Sequence, residues 1–153
     1  LTSAGILLFR IAGESIEVLL AHPGGPFWAK KDLGAWSIPK GACEEGEELL
    51  DCALRELGEE LGSRFDFPPD ALIELGSVRQ KGGKVVHCWA AEGDFDPAAL
   101  RGNTFAIEWP PRSGAQREFP EVDRAEWFAP AEARRKILPA QADFVDRLLD
   151  RLK

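Results

Sequence analysis

Three glutamates, Glu56, Glu59 and Glu60, stand close together in a stretch whose apolar residues Leu50, Ala53, Leu54, Leu57 and Leu61 recur at spacings of three and four. That periodicity predicts a helix from about Glu47 to Leu61 with one buried stripe. A helix gathers the three acids on one face beside the stripe. Three converging carboxylates repel one another, and a divalent cation is their readiest neutraliser. Ligands that are all oxygen point to magnesium or manganese rather than zinc. Arg55 lies one turn before Glu59 and can pair with it. Glu47 lies two turns before Arg55 on roughly the same side, and Gly62 suits a left-handed turn that ends the helix. A solvated acidic surface helix would account for the glutamates, but not for Gly41, Arg55 and Gly62 at their spacings. Gly58 costs about 1 kcal/mol relative to alanine inside such a helix, and the sequence offers no reason for it.

The wider stretch, WSIPKGACEEGEELLDCALRELGEELGS from Trp36 to Ser63, resembles the signature box of the Nudix hydrolases, G-x5-E-x7-R-E-U-x-E-E-x-G-U. Gly41, Glu47, Arg55-Glu56-Leu57, Glu59-Glu60 and Gly62 fall on its fixed positions, and Ser63 replaces the final aliphatic residue. The resemblance implies an α/β fold, a Nudix-like α/β/α sandwich with a mixed β-sheet, across one domain of residues 1–153. It also implies hydrolysis of a diphosphate linkage in a nucleoside diphosphate joined to another group. Carried over, Glu56, Glu59 and Glu60 are metal ligands with the Gly41 carbonyl added. Arg55 orients the carboxylates, and Glu47 supports it. The family often supplies one further acid from outside the box, as ligand or base. Glu121 is the first candidate here and Glu118 the second, either of which could instead be a solvated loop acid.

Those side chains must be positioned by the rest of the chain, which at 153 residues is long enough for a full core. No apolar run approaches membrane-spanning length, and no signal-peptide pattern opens the sequence. The absence of an initiator methionine suggests that the numbering begins inside a longer polypeptide. Cys43, Cys52 and Cys88 form no CxxC pair, so neither a disulfide framework nor a zinc site is indicated, and a reducing, cytoplasmic setting is expected. A net charge of −7 argues against broad binding of nucleic acid or anionic membrane. A polyanionic substrate therefore needs bound Mg2+ (or Mn2+) and local cations. Lys40, beside the box, leads these; Arg79, Lys81, Lys84, Arg112 and Arg117 follow, each of which could equally be a solvated surface charge.

In chain order, LTSAGILLFR and Ser15 to Ala21 predict a hairpin turned by residues 11–14. His22 to Trp28 is a loop by its glycines and prolines. Its Phe27 and Trp28 either cover the core edge or stack on a flat group. Trp36 to Ile38 reads as a short strand, with Pro39 starting a turn. Ala71 to Gln80 and Lys84 to Ala91 predict strands joined at Gly82-Gly83, with His87 packed or hydrogen-bonded. Asn103 to Trp109 reads as a strand, Arg112 to Pro120 as a mobile polar segment, and Arg124 to Phe128 as a strand. Two helical segments, Pro130 to Leu138 and Ala140 to Leu152, close the chain.

The expected partner is a small-molecule nucleoside diphosphate derivative, such as a nucleoside triphosphate or dinucleoside polyphosphate. The box specifies chemistry and not the leaving group. The alternatives are a catalytically inactive Nudix-fold nucleotide-binding module and a metal-stabilised structural domain. A Nudix-fold isomerase lacks support, since no paired catalytic Cys and Glu motif is evident.

Overall fold

The computed structural model describes residues 2–153; Leu1, the first residue of the opening run, lies outside them. The strands are β1 (Thr2–Ala12), β2 (Ser15–Pro23), β3 (Lys40–Ala42), β4 (Ile73–Arg79), β5 (Val85–Glu92), β6 (Thr104–Glu108), β7 (Gln116–Pro120) and β8 (Val122–Phe128), and the helices are α1 (Leu49–Leu61), α2 (Pro130–Lys136) and α3 (Ala142–Arg151). The main sheet runs β4-β5-β1-β2-β8, with β3 added against β1. Its β1–β5 pair is parallel, and the other pairs are antiparallel. The sheet is therefore mixed, as expected.

Strand β1 is apolar without interruption from Ala4 to Phe9 because helices cover both of its faces there. Ala4, Ile6 and Leu8 join α1's Cys52, Ala53, Leu57 and Leu61 in one core. Leu7 and Phe9 join Phe144, Val145 and Leu148 of α3 and Ala133 of α2 in the other. These two layers make the α/β/α sandwich. Arg147 donates to the Leu75 and Ser77 carbonyls and Arg151 to that of Glu74, so α3 also engages edge strand β4. No described helix is long and apolar enough to cross a membrane.

Three expectations need correction. Trp36 to Ile38 makes only isolated bridges, Ala21 to Ser37 and Trp36 to Ile137. The strand proper is Lys40–Ala42, where a turn was expected. It lies along β1 because Gly5 has no side chain, and a Cβ there would collide with the Pro39 carbonyl and Lys40. Second, the polar segment before Pro120 contains β7, which pairs with β6 in a separate two-stranded sheet. Gln-Arg-Glu-Phe-Pro has too little alternation to read as a strand; its ladder comes from β6, with Phe105 opposite Phe119. Third, α1 starts at Leu49, leaving Glu47 in a preceding turn where it exchanges hydrogen bonds with Glu44. The Gly82-Gly83 hairpin is as expected, both glycines having positive φ. His87 is half-buried in β5.

Candidate functional site

Helix α1 is set by its stripe, in which Cys52, Ala53, Leu57 and Leu61 are buried while Leu50 and Leu54 are half-buried. Gly62 ends it at φ 68°, in the left-handed region. Its N–H and that of Ser63 both turn back to the Gly58 carbonyl, at 2.8 and 3.2 Å. A Cβ at Gly58 would stand 3.1 Å from the Ser63 carbonyl oxygen, a tight contact at the cap. Ser63 itself is exposed, so losing the aliphatic residue of the pattern opens no hole in the core.

Arg55 organises the acid face. Its Nε and Nη2 donate to the two oxygens of Glu47 at 2.8 and 2.9 Å, and its Nη1 donates to Glu59 at 2.6 Å. Nη2 also reaches the Ala42 carbonyl at 3.2 Å, and Nη1 lies 3.6 Å from Glu56. One guanidinium thus fastens the turn before α1, the end of β3 and the helix face together. The two-point grip suits the planar fork of arginine. The Arg55 fork, aided by the Glu44 N–H, holds the Glu47 carboxyl down to about 2. Glu47 and then Glu59 push the Arg55 guanidinium above its ordinary value.

Glu60 has a different environment. The Lys40 N–H donates to it at 3.1 Å, yet burial pushes its carboxyl up to about 7, with the Glu56 and Glu121 charges adding to the rise. Glu56 is raised too, by burial first and then by Glu59. Gly41 lies directly against Glu56, and a Cβ at position 41 would overlap its carboxylate. The glycine thus lets the Glu56 carboxylate lie directly against β3.

Glu60 opens into a cleft of about 190 Å3 whose walls include Lys40, Glu121, Ser37, Trp28 and Leu138 over an apolar floor. Glu121 enters from the bend between β7 and β8, fixed by its N–H to the Asn103 carbonyl at 2.9 Å and by its own carbonyl to the Gly24 N–H at 2.9 Å. Glu118 instead accepts from the Thr104 hydroxyl at 2.7 Å on the β6–β7 sheet. Lys40 is half-buried beside Lys84, and burial, then that second ammonium, pull it below its ordinary pKa. Arg79 is tied to the Gly83 carbonyl of its own hairpin. Arg112, at φ 63°, lies in the β6–β7 turn with its N–H on Glu108, and Arg117 stacks over Phe119. Of the candidate cations, only Lys40 lines the cleft, with Lys84 beside it; Lys84, Arg79, Lys81, Arg112 and Arg117 are not among the lining residues.

The two loop aromatics divide their roles. Trp28 packs against the core and also walls the cleft. Phe27, 60% exposed, meets Trp109 edge-on at 5.6 Å. Sequence reasoning passed over two buried polar residues that fix this region. Gln141 accepts from the Ile38 N–H at 3.0 Å and donates to Ser37 and Gln80, steadying the approach to Lys40. His22 contacts Asp123 and the Lys31 carbonyl, each at 2.7 Å, fastening the aromatic loop to β8. Nothing local marks either residue, because Gln141 finds Ile38 across 103 positions and His22 finds Asp123 across 101.

The donors fit a hard divalent cation: they are all oxygen, two carboxyls are raised by burial and mutual charge, and Gly41 leaves room for Glu56 to lie directly against β3. With Glu59 drawn to Arg55 and Glu60 to the Lys40 amide, no three His, Cys, Asp or Glu side chains converge on one point among the described residues.

The NUDIX domain profile matches residues 1–148. An RNA pyrophosphohydrolase of Dinoroseobacter shibae is 25% identical over 134 residues, covering 78% of this chain and 75% of its own length. The asymmetrical bis(5'-nucleosyl)-tetraphosphatase of Rattus norvegicus is 33% identical over 106 residues, covering 63% of this chain and 68% of its own. Among solved structures, a Caenorhabditis elegans Ap4A hydrolase binary complex superposes with a TM-score of 0.66 at 20% identity, covering 98% of this chain and 97% of that one. The NUDIX domain of Shewanella oneidensis NrtR, complexed with ADP ribose, gives a TM-score of 0.66 at 22% identity, covering 100% and 88%. At those identities the structural likeness establishes the fold.

Proposed function

The chain belongs to the Nudix family, and from that premise we propose that it hydrolyses a diphosphate linkage in a nucleoside triphosphate or dinucleoside polyphosphate, with Mg2+ or Mn2+ as cofactor. It is a hydrolase acting on phosphoric anhydrides. The observation that carries the finer reading is the cleft in which Lys40, Glu60 and Glu121 face one another beside the acid face of α1. Relatives named for RNA pyrophosphate and dinucleoside tetraphosphate hydrolysis lie on the same side of substrate chemistry. The expectation that nucleic acid is not a partner gains no support from those names, and NrtR has also been crystallised with a 27mer DNA.

Glu56, Glu59 and Glu60, with the Gly41 carbonyl and Glu121, would hold the cation. When bound it would polarise a phosphoryl oxygen and lower the pKa of a coordinated water. Arg55 keeps the carboxylates aligned while its own charge stays engaged by Glu47. Lys40 and Lys84 face the phosphates and offset their charge. Glu121, on the wall opposite α1, takes a proton from the attacking water. Trp28 and the apolar floor exclude solvent on the side away from the phosphates. The free thiols of Cys43, Cys52 and Cys88 suit a reducing, cytoplasmic setting.

The test is a panel of nucleoside triphosphates, dinucleoside polyphosphates, nucleotide sugars and ADP-ribose, incubated with and without Mg2+ and with the products identified. The expected outcome is cleavage of a triphosphate or dinucleoside polyphosphate that stops on exhaustive chelation. Tight binding without cleavage of any compound would identify a binding module instead.

A further inference from the structure

Cys43 opens the loop that carries the first half of the box, and Cys52 lies in the first turn of α1, which follows that loop. Gly41 faces α1, where it abuts Glu56; Cys43, just past β3, keeps its N–H on the Thr2 carbonyl at 3.0 Å and packs against the core cluster of α1. Cys52 and Glu56 stand four apart on one stripe of that helix. The Cys52 thiol reaches back to the Gly41 carbonyl at 3.8 Å. Strand and helix thus present matched rungs, with Gly41 against Glu56 and Cys43 against Cys52. Cys43 packs on the same core cluster that buries Cys52. The Cys43 and Cys52 thiols lie within hydrogen-bonding reach of each other. Cys43 is half-buried and Cys52 fully buried, giving one thiol that an oxidant can reach and a second waiting behind it. Cys88 is buried in the other core.

We propose that Cys43 and Cys52 form a reversible intramolecular disulfide under hydrogen peroxide, and that it lowers turnover by altering the Gly41 carbonyl. In the first step the Cys43 sulfur attacks peroxide, which is reduced to water while Cys43 becomes a sulfenic acid. In the second the Cys52 sulfur attacks the Cys43 sulfur, the S–O bond breaks and a second water leaves. Two thiols and one peroxide give one disulfide and two waters. The bond removes the Cys52 S–H that donates to the Gly41 carbonyl, one rung from Glu56. A dithiol reductant reverses it.

The effect on turnover rests on the hydrolytic reading above, while the bond itself does not. The experiment therefore has two readouts on the full chain treated with hydrogen peroxide. Peptide mapping without reduction is expected to show a Cys43–Cys52 linked peptide with the mass loss of two hydrogens. Turnover of the best nucleotide substrate is expected to fall several-fold and to recover with dithiothreitol. Cys43→Ser, and separately Cys52→Ala, should show neither the link nor a further loss on peroxide treatment, Cys52→Ala starting from a lower turnover because it already lacks the S–H on the Gly41 carbonyl, whereas Cys88→Ser should show both. Absence of the link, a link through Cys88 or between two chains, or an unchanged turnover in linked protein would overturn the proposal. If the reduced protein cleaves no substrate, the hydrolytic reading fails and the mapping still reports on the bond.

Discussion

Arg55 holds Glu47 by two nitrogens, at 2.8 and 2.9 Å, across the boundary between the box loop and the helix. The pair fixes the direction in which α1 leaves the loop, and so where Glu56 and Glu59 point.

That contact has a pH signature. The Glu47 carboxyl falls from an ordinary 4.5 to about 2 in the folded chain. A carboxyl depressed on folding contributes stability that is fully present above its unfolded pKa and is lost as pH falls through the folded value. Its contribution should therefore be complete above about pH 4.5 and vanish by about pH 2. Urea unfolding of the native chain and of Glu47→Gln should show a gap in midpoint at pH 7 that narrows steadily between those limits. A gap that does not depend on pH would mean that the Arg55 contact is not ionic.

Glu60→Gln should fold normally and lose most of its turnover. The amide keeps the shape and its acceptor for the Lys40 N–H, but not the charge that holds a cation. The loss in kcat should exceed the roughly 10–100-fold typical of losing an outer-shell partner. Circular dichroism and single-turnover kinetics at saturating Mg2+ check both halves.

Glu121→Gln and Glu118→Gln should part company. Glu121 shares the cleft with Glu60, whereas Glu118 is engaged by Thr104 on the β6–β7 sheet. A positioned base typically contributes about 10²–10⁴-fold. The first substitution should depress kcat by that order with little change in KM, and the second should leave both near native. The reverse pattern, read from a pH–rate profile of each variant, would move the base to Glu118.

Lys84→Ala should raise KM more than it lowers kcat. Lys84 stands beside Lys40, and removing one ammonium weakens phosphate binding in the ground and transition states alike. Arg112→Ala, in the β6–β7 turn, should change neither constant by more than about twofold, the scale of ordinary surface substitutions. Initial-rate kinetics with a common substrate compare the two.

Residues close in sequence determined much of this protein by themselves. The spacing from Gly41 to Gly62 announced the helix, its acid face, the Arg55–Glu59 pair and the glycine stop, because contacts within a helix are set by a repeat of a few residues. The pattern of β1 and β2 likewise announced a buried hairpin. What the tertiary structure decided depends on partners far along the chain. Glu121 faces Glu60 only because β7 and β8 bend beside Gly24, and Lys84 meets Lys40 only because β1 lies between β3 and β5. The strand at Gln116–Pro120 needed β6 to supply its ladder. The pairing of Cys43 with Cys52 needed the face that Gly41 leaves open to α1. Backbone hydrogen bonds and close approaches between distant segments leave no local periodicity, so their positions became visible only once the sheet and helices were assembled.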